Sequence, residues 1–180
     1  LGGASLEGIF DMIGEVRESG LNTPVVFMLY YNTVYHYGLE NFVDKCIENG
    51  IDGLIIPDLP FEEQGELKEV LVEKKASPIL IQLVSPVSKD RIPVLLDGAR
   101  GFVYCVSQMG VTGKGAIFHS QIREYLTEVK KESKIPVMMG FGIRTASDVA
   151  PLEDIIDGAI VGSHFIKLLE NSNFSEDAVI

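Results

Sequence analysis

The chain has 180 residues, 46% of them hydrophobic, a mean hydropathy of +0.21 and a formal net charge of −11. That apolar content supports a sizeable core in one domain, or in part of a larger α/β barrel. The acidic balance argues against nucleic acid, which calls for a basic patch, and no apolar run reaches the length of a membrane span.

The opening LGGASLEGIF has no basic region ahead of an apolar stretch and is expected to be the interior of a domain rather than a leader. Residues 5–18 have helical character. From there, short apolar runs rich in Val, Ile and Leu recur at 24–30, 53–57, 78–84, 101–106, 136–140 and 158–162. They are continuous rather than alternating, which predicts strands buried on both faces, as in a parallel sheet. Helical segments lie between them. Residues 41–50 place Phe42, Cys46 and Ile47 on one face, with Gly50 as the stop. Residues 62–76 group Leu67, Val70 and Leu71. Residues 120–133 open on Ser120 as N-cap and carry Ile122, Tyr125, Leu126 and Val129. A short helix over 145–154 is limited by Pro151. Strand starts some two to three dozen residues apart fit right-handed βα units, in either an open doubly wound sheet or a barrel. Six strands fall short of a closed barrel of eight, and no linker marks a second domain.

Glycine-bearing loops follow the last three runs: SQMGVTGKGA at 107–116, GFGIRT at 140–145 and GSHFIK at 162–167. Glycine at such a position permits positive φ or lets another group approach the backbone. Free N–H groups with a helix dipole suit an anion, and α/β barrels commonly hold phosphate after their last strands. The GVTGKG stretch lacks the order of a nucleotide P-loop and reads as a glycine-hinged lid.

Two readings stand open for Asp58: a turn former between Pro57 and Pro60, and a carboxylate at a strand end, where catalytic groups sit. Tyr104 is either core or pocket lining. Cys46 and Cys105 lack metal-ligand spacing and are expected to be reduced core thiols. No histidine pair with metal-ligand spacing and no GxSxG nucleophile motif occurs, so neither a metal nor a cofactor is expected.

Taken in order, PVVFMLYYN (24–32), GIDGLIIPDLPFEE (50–63), LVSPVSKDRI (83–92), GFVYCVSQMGVTG (101–113), GFGI (140–143) and GAIVGS (158–163) resemble the tryptophan synthase alpha subunit family. The resemblance covers essentially the whole chain. It implies an α/β fold, the (β/α)8 TIM barrel, with about six βα units present, barrel strands 3 to 8, so that 1–180 is a single partial-barrel domain. It also implies a cytoplasmic lyase of tryptophan biosynthesis that cleaves indole-3-glycerol phosphate to indole and glyceraldehyde 3-phosphate and works with a β subunit in an α2β2 assembly. Gly113, Gly142, Gly162 and Ser163 match phosphate-binding positions, flanked by Phe141 and Ile143. Tyr104 matches a pocket tyrosine and Thr112 the lid threonine. Met28, Leu29 and Tyr30 match the indole-side strand.

The chain also departs from the family pattern. The family's catalytic glutamate and aspartate lie in its second barrel strand and the following loop, in a motif like ELGIPFSDPLADGP, and nothing of that kind occurs here. The chain is therefore expected to lack the first two βα units and the final helix, to have no catalytic residue of its own and to be inactive alone. The competing expectations are a docking module for the β subunit without catalysis, and another phosphate-binding barrel enzyme such as an isomerase or epimerase. A barrel short of strands is expected to self-associate through open edges.

Overall fold

Among the described residues the six apolar runs become seven strands, because the run at 78–84 is divided at Ile81. The structure is a computed structural model describing residues 4–75, 78–106, 116–140, 143 and 145–174, with backbone alone at 116–120. The chain splits into two compact units, Leu1–Ile81 and Gln82–Ile180.

In the first unit, Ser5 accepts the N–H of Gly8 and caps α1 (Leu6–Glu18). Next come β1 (Val26–Met28), α2 (Tyr31–Tyr37), α3 (Leu39–Glu48), β2 (Gly53–Ile55), α4 (Gly65–Glu73) and β3 (Ile79–Leu80). The strands pair in parallel in the order β1-β2-β3, with Val26 opposite Gly53 and Gly53 opposite Ile79. Phe10 of α1 sets its ring 5.4 Å from Phe27 and 5.9 Å from Phe42, which joins helix, strand and helix in one aromatic core. α3 buries Phe42, Val43 and Cys46 and leaves Ile47 exposed, so its core stripe is turned one residue from the expected one. Gly50, with φ +63, ends that segment as anticipated.

The second unit holds β4 (Gln82–Val84), α5 (Ile92–Leu96), β5 (Val103–Val106), α6 (Ala116–Glu132), β6 (Val137–Gly140), α7 (Ala146–Val149), β7 (Gly158–Ile160) and α8 (Ser163–Asn171). Its four strands are parallel in the order β4-β5-β6-β7. α6 buries Ile122, Tyr125, Leu126 and Val129, the predicted stripe. It begins at Ala116, however, so Ser120 lies inside the helix and is not its cap. The Tyr125 hydroxyl donates to the Val84 carbonyl at 2.7 Å, tying α6 to β4, and burial raises that phenol's pKa. Both cysteines are free and buried, and burial pushes the thiols up to about 12 at Cys46 and about 11 at Cys105. No described helix is long and apolar enough to cross a membrane.

Each unit contains the same small device at the start of a strand. The sequence Ile-Asp-Gly occurs at 51–53 and again at 156–158. Asp52 accepts the Val25 N–H at 2.8 Å and pairs with Arg17 at 2.8 Å. Asp157 accepts the Val137 N–H at 2.7 Å and pairs with Lys130 at 2.6 Å. In both cases the aspartate's own N–H donates back to the same residue's carbonyl at 2.8 Å. The carboxylate therefore fixes strand register and anchors the helix before the bonded strand, α1 through Arg17 and α6 through Lys130. The Lys130 ammonium, with help from the Val137 N–H, holds the Asp157 carboxyl below the usual carboxylate range.

A carboxyl lowered in the folded state adds stability above its unfolded pKa, about 4, and that stability is lost as pH falls through the lowered value. The pair is partly exposed and screened, so Asp157→Ala is expected to cost about 1 kcal/mol at pH 7. Urea unfolding of wild type and variant at pH 7 and near pH 3 checks this: the gap should narrow on acidification, and a gap that persists unchanged contradicts it.

Candidate functional site

The register of the second sheet sets three strand ends side by side. Val106 of β5 lies opposite Gly140 of β6, and Gly140 lies opposite Ile160 of β7. The three glycine loops thus leave the sheet from adjacent positions at its C-terminal edge, where α/β folds place ligands. Of the predicted site residues, Thr112, Gly113, Phe141 and Gly142 lie outside the described residues. Tyr30, Tyr104, Ile143, Gly162 and Ser163 lie within them.

Tyr104 is 7% exposed, and burial raises its pKa. Its ring lies over Gly140. A Cβ added there would stand 2.5 Å from the phenol oxygen and 2.6 Å from Cζ, closer than real Cβ atoms come. Gly140 is not among the glycines with positive φ. Its role is therefore to admit the Tyr104 ring, and the expected turn at the strand end is not what calls for glycine. Ile143, three residues on, is also buried.

Two helices begin just past these strand ends, and their first turns differ. Thr145 and Asp148 form a capping box on α7, with the Asp148 carboxylate accepting the Thr145 N–H at 2.8 Å. That end is satisfied from within. α8 starts at Ser163 after Gly162, with no side-chain cap and no acidic residue in its first turn. Among the described residues a Cβ at Gly162 would meet nothing within 4 Å, so their packing does not require glycine there. Helix α8 thus offers uncapped N–H groups and the positive end of its dipole over open space, which is the arrangement that binds an anion.

In the first unit, β1 runs out into Met28 and Tyr30, 59% and 67% exposed, with Leu29 between them bonded to β2 through its N–H to the Ile55 carbonyl at 3.1 Å. Asp58 accepts the Tyr31 N–H at 2.8 Å and so caps α2 from the β2 exit. Sequence reasoning missed this bond, whose partners are 27 residues apart. It also missed the two aspartate clamps, for which the repeated Ile-Asp-Gly ahead of an apolar run was the available signal.

Comparisons with known proteins agree with one another. A sequence model described as Tryptophan synthase alpha chain matches residues 1–179. The Lachnospira eligens tryptophan synthase alpha chain is 85% identical over 176 residues, covering 98% of this chain and 67% of that protein. The Geobacillus kaustophilus tryptophan synthase alpha chain is 45% identical over 169 residues, covering 94% and 62%. Among solved structures, the Campylobacter jejuni tryptophan synthase subunit alpha superposes with TM-score 0.82 at 32% identity, covering 93% of this chain and 66% of that one. The tryptophan synthase complex of Pyrococcus furiosus gives 0.78 at 28%, covering 94% and 67%. The chain thus spans about two thirds of the length of these relatives. The fold class follows: a parallel α/β chain carrying part of a (β/α)8 barrel's complement of strands and helices.

Proposed function

Since the chain belongs to the tryptophan synthase alpha chain family, we propose that its 180 residues form the substrate-holding part of a lyase that cleaves indole-3-glycerol phosphate to indole and glyceraldehyde 3-phosphate. The observation that carries this is the uncapped start of α8 behind Gly162, a ready anion site at the C-terminal edge of the sheet. The N–H groups of Gly162 and Ser163 hold the phosphate, together with Gly142 and the lid glycine Gly113. By their match to the family pattern, Tyr104, Phe141 and Ile143 are assigned to the adjoining pocket, Thr112 to the lid and Tyr30 to the indole side.

On this reading the chain corresponds to barrel strands 3 to 8 as one partial domain, with β3 and β4 answering to a single barrel strand. Cleavage needs one carboxylate to take the glycerol hydroxyl proton and a second group to engage the indole nitrogen while the ring carbon is protonated. No stretch of these 180 residues resembles the family motif that supplies them, so the chain by itself binds and orients substrate without transferring protons. Calorimetric titration with glyceraldehyde 3-phosphate, run beside an assay for indole released from indole-3-glycerol phosphate, tests this: binding without release supports it, and release overturns it.

The solved Pyrococcus furiosus relatives include a tryptophan synthase a2b2 complex, and we extend that partnership with a β subunit, in the cytoplasm, to this chain. Among the described residues, β1 and β3 edge one sheet and β4 and β7 edge the other. Self-association through them is expected on concentration. Light scattering checks it, and a single monomeric species at high concentration contradicts it.

A further inference from the structure

We propose that Ser85 is a substrate-contacting residue whose hydroxyl accepts the N–H of the indole ring, a reading that rests on the function proposed above. Every residue involved lies in the second unit. Val84 stands opposite Cys105, Cys105 opposite Met139, and Met139 opposite Ala159. One residue on, Ser85 therefore joins Val106, Gly140 and Ile160 in the row at the C-terminal edge of the sheet. Ser85 has extended backbone, φ −130 and ψ 161, so the alternation of β4 carries through it. Its side chain is thus on the face of Leu83, two residues back, which stands opposite Tyr104. The Gly140 contact fixes that face independently, since the Tyr104 ring fills the space into which a Cβ in this row would point. Of the four residues in the row, Ser85 alone has a polar side chain.

The fold leaves this hydroxyl with capacity to spare. Ser85 precedes the 3-10 turn Pro86–Arg91 without a side-chain cap bond, and the Ser88 N–H donates to its backbone carbonyl at 2.9 Å. Among the described residues its half-buried Oγ meets the Ser88 Oγ alone, at 3.1 Å. A pair of hydroxyls that share one bond keeps one donor and three acceptor lone pairs. Distance selects the ligand group that uses them. β4 and β7 are three strand spacings apart, about 14 Å. With hydrogen bonds of about 3 Å at both ends, roughly 8 Å is left for a ligand anchored at the start of α8. A phosphorylated three-carbon chain is too short to span it, and one that carries an indole is long enough. The single polar hydrogen of that ring is on its nitrogen, which makes it the donor that Ser85 meets. A serine hydroxyl holds this N–H without taking the proton, in keeping with orientation without cleavage.

Three probes and two variants test the contact by calorimetric titration. The probes are an indole with a phosphorylated three-carbon chain on C3, the same compound methylated on nitrogen, and glyceraldehyde 3-phosphate. The wild-type chain is expected to bind the N–H compound about fivefold more tightly than its N-methyl counterpart, the worth of one hydrogen bond. Ser85→Ala should bring the two indolyl affinities together and leave glyceraldehyde 3-phosphate unchanged, and that retained binding also shows a folded chain. Ser88→Ala leaves the Ser85 hydroxyl in place and should keep the preference. Equal affinity of the wild type for the two indolyl compounds overturns the proposal. So does a preference that survives in Ser85→Ala or disappears in Ser88→Ala, and so does an equal weakening of all three probes by Ser85→Ala. A wild-type chain that binds neither glyceraldehyde 3-phosphate nor the indolyl phosphate overturns the proposed function, and this inference with it, before any variant is compared.

Discussion

Gly140→Ala is expected to destabilise the chain by about 2 kcal/mol, within the range for overpacking a filled interior. The melting midpoint should fall by roughly 4–8 °C for a chain of this size. The added methyl falls within 2.6 Å of Tyr104 Cζ, and that ring is 7% exposed, so it cannot move into solvent without leaving its packing. Gly140 is paired on both sides, to Val106 and to Ile160, so the backbone cannot yield instead. The gain from restricting the unfolded chain, about 0.4–1 kcal/mol for glycine to alanine, offsets only part of the clash.

A double-mutant cycle isolates the contact. Tyr104→Ala is destabilising alone, but in the Gly140→Ala background it removes the clash, so the double variant should lie above the sum of the singles by about 1–3 kcal/mol. Additive effects, measured by urea unfolding, would show that the two residues do not meet. Because the displaced ring lines the proposed pocket, Gly140→Ala should also weaken binding of an indolyl phosphate, and Tyr104→Ala should not restore it.

Much of the fold was legible because continuous apolar runs mark strands buried on both faces, as at Val103, Tyr104 and Cys105. The division of the third run at Ile81 was not legible, since Ile79 to Val84 is uniformly apolar apart from Gln82 and a break in pairing leaves no compositional trace. Helix α2 was missed for a different reason. YNTVYHY is made of residues with weak helix propensity, and the helix is capped from elsewhere, by Asp58. At the site, the start of α8 was readable from glycine behind a strand, whereas the reason for Gly140 was not. A glycine that admits a ring from the neighbouring strand looks in sequence like one that turns the chain. The carboxylates were the least readable, because Asp52, Asp58 and Asp157 each bond a backbone N–H 20 to 27 residues away.

The proposed division of labour gives the largest expected effect: no detectable cleavage from a chain that nonetheless binds. Removing positioned acid–base groups costs on the order of 10²–10⁴-fold for each proton transfer. Loss of two multiplies to about 10⁴–10⁸-fold, which takes turnover below detection. The anion site should survive, since it consists of backbone N–H groups and a helix dipole. Placing a like charge there tests its location. Gly162→Asp sets a carboxylate where the phosphate is proposed to sit, in space that is otherwise open, and is expected to abolish binding while leaving the melting midpoint within about 2 °C, as for a surface change.

The most direct measurement mixes the purified 180-residue chain with indole-3-glycerol phosphate and records binding heat and released indole in the same samples. The account predicts saturable binding, lost in Gly162→Asp, with no indole above the rate in buffer. Indole release that scales with the amount of chain, or the absence of saturable binding by the wild type, contradicts it.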